Sequence, residues 1–180
     1  SNLISHASQY PEKWRVHSID FAQTADRSEY LKKTVELLQE LVNEVNSRVQ
    51  EMNREGITRY DKIPSGQSVL VLIDSFAKSG GLKLADPSDS SQTGLRDNEL
   101  RKTGIQLLEC LTKIGRAAGV FVVIGSYSVT GVPLGLLCLF PSQIATRMTA
   151  KESVFVTGQQ VAAKLPTSPG RAWYHRSGTG

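Results

Sequence analysis

The stretch Ser68-Val69-Leu70-Val71-Leu72-Ile73-Asp74-Ser75 constrains this chain more than any other. Five consecutive branched apolar residues run into one carboxylate, with Gly66-Gln67 before them and Phe76 after. A run of this kind without alternation fits a strand buried on both faces, the habit of parallel sheets covered by helices. An Asp at the carboxyl end of such a strand faces the crevice where open α/β sheets bind ligands. Two readings of Asp74 follow: a carboxylate of a ligand site, or a cap for the next element.

The flanking segments support a parallel sheet. Trp14 to Phe21 alternates apolar and polar residues, as an exposed or edge strand does. Asp26-Arg27-Ser28-Glu29 can cap a helix whose apolar residues Leu31, Val35, Leu38, Val42, Val45, Val49 and Met52 recur at steps of four and three. That stripe, widened by Leu37 and Leu41, fits a long helix packed on a sheet and also a short coiled-coil seam. Asn98 to Ala118 restores a helical period, closed by Gly119, and Val120 to Ile124 is a second continuous apolar run. Strand, helix, strand, helix, strand is the βαβ alternation of a parallel sheet.

Between the second strand and its helix, Lys78 to Asp97 is rich in Gly, Ser, Asp and Pro, and reads as a surface loop long enough for a lid or contact role. The last third reads as a short helix or turn from Leu134 to Phe140, a strand from Ile144 to Thr149, and extended Val154-Phe155-Val156. A small helix from Gln159 to Leu165 and a closing strand at Ala172-Trp173-Tyr174 complete it.

Composition narrows the function classes. The 180 residues, 39% hydrophobic, suffice for one domain with a real core. A net charge of +4, spread along the chain, permits a polyanionic partner without requiring one. Cys110 and Cys138 stand in apolar contexts without a second ligand at metal spacing, and read as small buried hydrophobes of a reducing compartment. His6, His17 and His175 have no neighbours that would make a metal site or a His-based relay. The longest apolar run, Val132 to Phe140, is too short to span a bilayer.

Several segments occur together in a known order. They are Met52-Asn53-Arg54-Glu55-Gly56-Ile57-Thr58-Arg59-Tyr60-Asp61, Val69 to Asp74, Gly115-Arg116-Ala117-Ala118-Gly119-Val120-Phe121-Val122-Val123-Ile124-Gly125-Ser126, and Phe140-Pro141-Ser142-Gln143-Ile144-Ala145-Thr146-Arg147. In this the chain resembles, from about Tyr10 to Tyr174, the motor domain of the FtsK/SpoIIIE family, RecA-like ATPases that pump double-stranded DNA. The same fold occurs in conjugation coupling proteins and in the EccC/EssC motors of type VII secretion. The resemblance implies an α/β, RecA-like three-layer fold with a mostly parallel central sheet flanked by helices. It implies one such domain over 1–180, incomplete at its N-terminal side, with ATP and Mg²⁺ as ligands, assembled in a ring with other copies or neighbouring ATPase modules.

Carried over residue by residue, Asp74 matches the Walker B aspartate that holds Mg²⁺. Ser126 and Tyr127 fall where the family has a polar sensor, usually Thr-Gln. Arg116, and with less force Arg147 on the following strand, are candidates for an arginine that reaches a neighbouring subunit's phosphates.

Two departures oppose catalysis. The phosphate-cradling motif Gly-x-x-x-x-Gly-Lys-Ser/Thr does not occur, and Asn2-Leu3-Ile4 resembles the helix that follows it, so the sequence is expected to start just downstream of that loop. The loop's N–H groups and lysine neutralise the phosphates. Ser75 also stands where the family has a glutamate that polarises the attacking water, and a serine hydroxyl is no base at neutral pH.

The chain is therefore expected to be inactive as an isolated ATPase. The resemblance implies a module of an FtsK/SpoIIIE-type translocase acting on double-stranded DNA. The alternative is a degenerate module of a type VII secretion motor that binds secreted protein substrates, regulates, or assembles the ring. Lys78, Lys83 and Arg96 against Asp86, Asp89 and Asp97 leave the long loop charge-balanced, which favours the alternative. Either implies a cytoplasmic location, with membrane attachment only through other parts of a larger protein. Without the strand that precedes the phosphate loop, the strand near 144–149 is expected to pair with 119–125 or with another chain.

Overall fold

The computed structural model describes residues 13–20, 27–63, 66–77, 81–82, 92–168 and 170–176. The expected helix tail before Tyr10, with Asn2-Leu3-Ile4, lies outside these residues, as do Asp26 and most of the Lys78 to Asp97 loop. Two compact units divide the chain, Ser1–Ser126 and Tyr127–Gly180.

The first unit is built on a parallel sheet. Strands β1 (Trp14–Asp20), β2 (Ser68–Asp74) and β3 (Val120–Ile124) lie in that spatial order. Helix α1 (Arg27–Glu55) connects the first two, and helix α2 (Gln92–Ile114) the second pair. Both crossovers step the same way across the sheet, so right-handed connections place both helices on one face. Val69, Val71 and Ile73 of β2 point to that face and are fully buried. The alternate set carries Trp14, Leu70 and Phe121, with the Trp14 and Phe121 rings 5.7 Å apart.

The stripe on α1 is a packing face rather than a coiled-coil seam. Leu31, Leu38, Leu41, Val42, Val45 and Met52 are buried within this unit. Two polar residues share the burial, Thr34 and Arg48. The Arg48 guanidinium donates to the carbonyl oxygens of Ala118 at 2.8 Å and Gln67 at 2.9 Å, and to Glu44 at 2.7 Å. It thus ties α1 to the segments that lead into β2 and β3.

Helix α2 begins at Gln92, inside the segment that reads as loop, rather than at Asn98. The Asp97 carboxylate accepts from Ser28 Oγ at 2.9 Å, and buried Arg101 donates through Nε to the Gly81 carbonyl at 3.1 Å. These tertiary bonds anchor the second and third turns, beyond a first turn that carries Thr93 and Gly94.

The second unit contains α3 (Leu134–Leu137), β4 (Ser142–Ala145), α4 (Ala150–Thr157) and β5 (Trp173–Arg176). Three expectations are corrected here. The strand expected at 144–149 is β4, Ser142–Ala145, and the strand it pairs with is β5, antiparallel, with Ile144 opposite Tyr174, not 119–125. Arg147 therefore lies beyond the strand rather than on it. Val154-Phe155-Val156 is helical, because Thr149 and Glu152 form a capping box whose reciprocal bonds outweigh the strand preference of the β-branched run.

No helix among the described residues is long and apolar enough to cross a membrane. The cysteines are also less buried than their contexts imply: Cys110 is half-buried and Cys138 exposed.

Candidate functional site

The carboxyl ends of the three parallel strands carry the candidate site. After Ile73 the chain turns sharply. Ser75 adopts φ 58°, the left-handed region that non-glycine residues enter only at a steric cost. That turn drives Phe76 into the core, fully buried, and its N–H donates to the Gly125 carbonyl at 3.2 Å. Gly125 returns a bond from its own N–H to the Ile73 carbonyl at 2.7 Å. The ends of β2 and β3 are thereby locked together.

Asp74 stays exposed at this edge. Its Oδ1 accepts the Ser75 N–H at 2.7 Å. Gly125 comes so near that a Cβ there would lie 3.0 Å from Oδ1, so the bare glycine leaves room for the carboxylate. Oδ2 accepts no hydrogen bond among the described residues.

One residue that sequence reasoning passed over belongs here. Asp20 ends β1 in register with Asp74, on the same face of neighbouring strands. Its backbone N–H donates to the Tyr30 hydroxyl at 2.9 Å. The signal was present, since both strands close on Ile-Asp. Strands run about 4.8 Å apart, so the two carboxylates face the same crevice side by side.

The other predicted residues are distributed as follows. Ser126 stands just beyond β3, exposed, next to Gly125 and thus near Asp74. Tyr127 opens the second unit and is exposed. Arg116 lies in a 3-10 turn, Gly115–Ala118, that leads into β3. That is the amino edge of the sheet, some 15–20 Å from Asp74 at ~3.3 Å per strand residue. Within one chain the two are not brought together. Arg147, in the second unit, is exposed and donates to the Leu165 carbonyl at 3.1 Å.

Magnesium in nucleotide sites is held by one or two carboxylates together with substrate phosphates. Asp74, exposed with one free oxygen, fits that role. Among the described residues no group of three or more His, Cys, Asp or Glu side chains could hold a metal by itself. The motif Gly-x-x-x-x-Gly-Lys-Ser/Thr does not occur in these 180 residues. Among the described residues Asp74 is the one that fits the metal.

No protein-family model and no curated protein matches the sequence. Solved structures do match in fold. The conjugation coupling protein TcpA of pCW3, a monomer form with ATPγS, superposes with a TM-score of 0.75 at 18% identity over 93% of this chain. EssC ATPases 2 and 3 of Geobacillus thermodenitrificans give 0.69 at 16% identity over 98%. The cytoplasmic domain of the type VII secretion ATPase EccC of Thermomonospora curvata gives 0.61 at 17% over 94%. The chain spans 50%, 34% and 21% of those structures. The likeness is one of fold: an α/β architecture whose parallel sheet, flanked by helices, matches RecA-like ATPase domains.

Proposed function

We propose that this chain is one RecA-like module of an ATP-driven motor of the FtsK/SpoIIIE type, in which Asp74 supplies the Walker B carboxylate. The observation that carries the reading is the exposed Asp74 at the carboxyl edge of the central strand, presented by the Ser75 turn and the Gly125 contact. Likeness in fold to a coupling protein and to two secretion ATPases supports a motor-module role. Serine stands where hydrolysis needs a base, so in this reading the module does not hydrolyse ATP alone.

In this reading residues 1–180 form a single module in a cytoplasmic ring with other copies or neighbouring modules. Arg116, at the far edge of the sheet, faces outward for contact with a neighbour's nucleotide; Arg147 serves the same end less directly, and Ser126 with Tyr127 takes the sensor position. Double-stranded DNA is the translocated polymer of the leading version. Ser75 favours a second version, a degenerate module of a type VII secretion motor acting on protein substrates or on ring assembly.

Calorimetry with Mg-ATP tests the reading. The isolated chain is expected to bind no nucleotide up to millimolar concentration, with or without Asp74→Ala. Micromolar binding that Asp74→Ala abolishes would overturn the degenerate site and make this a working ATPase. Retardation of double-stranded DNA at low salt then separates the versions, because a DNA pump binds through salt-sensitive phosphate contacts and a secretion module does not.

A further inference from the structure

The amino edge of the sheet, away from Asp74, carries a concavity of its own. A cleft of about 540 Å³ opens between the segment 58–61 and the end of α2. The Tyr60 ring lines it, held in place from behind. A Cβ on Gly119, which has φ 78°, would lie 2.4 Å from Tyr60 Cδ2, and the Phe121 ring meets Tyr60 edge-on at 6.1 Å. Glycine at 119 leaves room for that half-buried ring, around which the other lining residues are exposed.

Charge around the cleft is uneven. Arg59 is bonded twice to Asp61, at 3.1 and 2.8 Å, and that pair is neutral in itself. Lys113 and Arg116 line the other side, both exposed and three residues apart, with no carboxylate paired to either among the described residues. Cations in the last turn of a helix complement its terminal carbonyls, which accounts for their presence. It does not account for an open concavity with an aromatic ring beside them.

We propose that this cleft binds an acidic peptide segment of a partner protein, with two of its carboxylates on Lys113 and Arg116 and an apolar side chain against the Tyr60 ring. Guanidinium and ammonium groups engage carboxylates by charge-assisted hydrogen bonds, and Tyr is a favoured contact residue at interfaces. The volume falls in the range of ligand clefts, about 300–1,000 Å³. A nucleic-acid strand would need a row of cations tracking its phosphates, which two free cations do not make. Asp74 lies at the opposite edge of the sheet, whereas Arg116 is the side chain that the proposed function turns toward a neighbour's nucleotide, so the peptide and that contact compete for it.

Fluorescence anisotropy tests it, with a fluorescein-labelled pentapeptide of four glutamates around a central leucine in low-salt buffer. Saturable binding is expected, weakened at least about tenfold by the double charge reversal Lys113→Glu/Arg116→Glu and unchanged by Asp74→Ala. The double neutralisation Lys113→Gln/Arg116→Gln gives a second, milder loss. Both positions are exposed, and a circular-dichroism melt checks each variant's fold. Absent binding overturns the proposal, as does binding that survives the charge reversal. Tighter, reversal-sensitive binding of a labelled oligothymidylate of equal charge would also overturn it, assigning the cleft to nucleic acid instead.

Discussion

Arg48, buried on α1, donates through Nη1 to the carbonyl oxygen of Ala118 across 2.8 Å, joining residues 70 positions apart in the chain. The same guanidinium satisfies the Gln67 carbonyl and pairs with Glu44. Two strand entries and one helix thus meet on a single side chain. Replacing it takes the donor from the buried Ala118 carbonyl and from one Glu44 carboxylate oxygen, and one bond from the half-buried Gln67 carbonyl. Arg48→Met is expected to cost about 2–4 kcal/mol, read as a shift in denaturant midpoint. Arg59→Ala, which removes an exposed ion pair, should cost less than about 1 kcal/mol.

Gly119 and Tyr60 are coupled by space rather than by a bond. Gly119→Ala must place a Cβ 2.4 Å from the ring while holding a left-handed φ of 78°. We expect a loss of about 2–4 kcal/mol, from the left-handed penalty of roughly 1–2 and the displacement of the ring. In a Tyr60→Ala background the same substitution should cost less, because only the backbone term remains. A double-mutant cycle measures the difference, and full additivity would mean the ring yields freely.

Ser75 accepts a strained turn so that Phe76 can enter the core. A β-branched side chain tolerates that φ worst and asparagine best. Ser75→Val should therefore lower stability by about 1–2 kcal/mol, while Ser75→Asn stays within about 0.5. Equal effects of the two would place the turn's stability elsewhere than in its backbone.

How far the fold was legible follows from these residues. The α1 stripe and the two unbroken apolar runs showed in the sequence because burial on a helix face or within a parallel sheet imposes a period or removes one. Arg48 escaped, since it occupies a core position for bonds to backbone carbonyls 19 and 70 residues away, which no local pattern encodes. The start of α2 escaped because Thr93 and Gly94 stand in its first turn, inside a Gly-, Ser- and Asp-rich segment. Helix α4 was legible and misread: the Thr149–Glu152 box outranks three β-formers in a row. At the site, Asp74 stood out because its strand is featureless otherwise. Asp20 was hidden in an alternating edge strand, and only the register places it opposite.

His17 gives the stability a pH dependence. It lies on the helix-covered face of β1, and its Nε2 is buried without a hydrogen bond. Burial first, and the Arg15 guanidinium second, push its pKa below the ordinary value, against the opposing pull of Glu44 and Glu40. The folded state therefore resists a proton that the unfolded chain takes up near pH ~6.5. Above that value both states are neutral and the group costs nothing. Below it, stability falls as pH drops toward the folded-state pKa. Denaturant midpoints between pH 8 and 5 should show this decline, and His17→Leu should flatten it. An unchanged slope in the variant would assign the decline to carboxylates.

Asp74 and Asp20 end neighbouring strands in register, and like charges placed so oppose each other by about 0.2–1 kcal/mol. Asp74→Asn keeps an oxygen for the Ser75 N–H and removes the charge. If that repulsion is not offset, the substitution should raise stability by that amount at low salt, and the gain should shrink at about 0.5 M NaCl as screening grows. No gain would mean that the charged carboxylate's bond to the Ser75 N–H compensates the repulsion. Midpoints of the two proteins at both salt concentrations decide between these outcomes. A salt-sensitive gain marks a charge kept against the stability of the fold, the usual condition of a site that binds a cation.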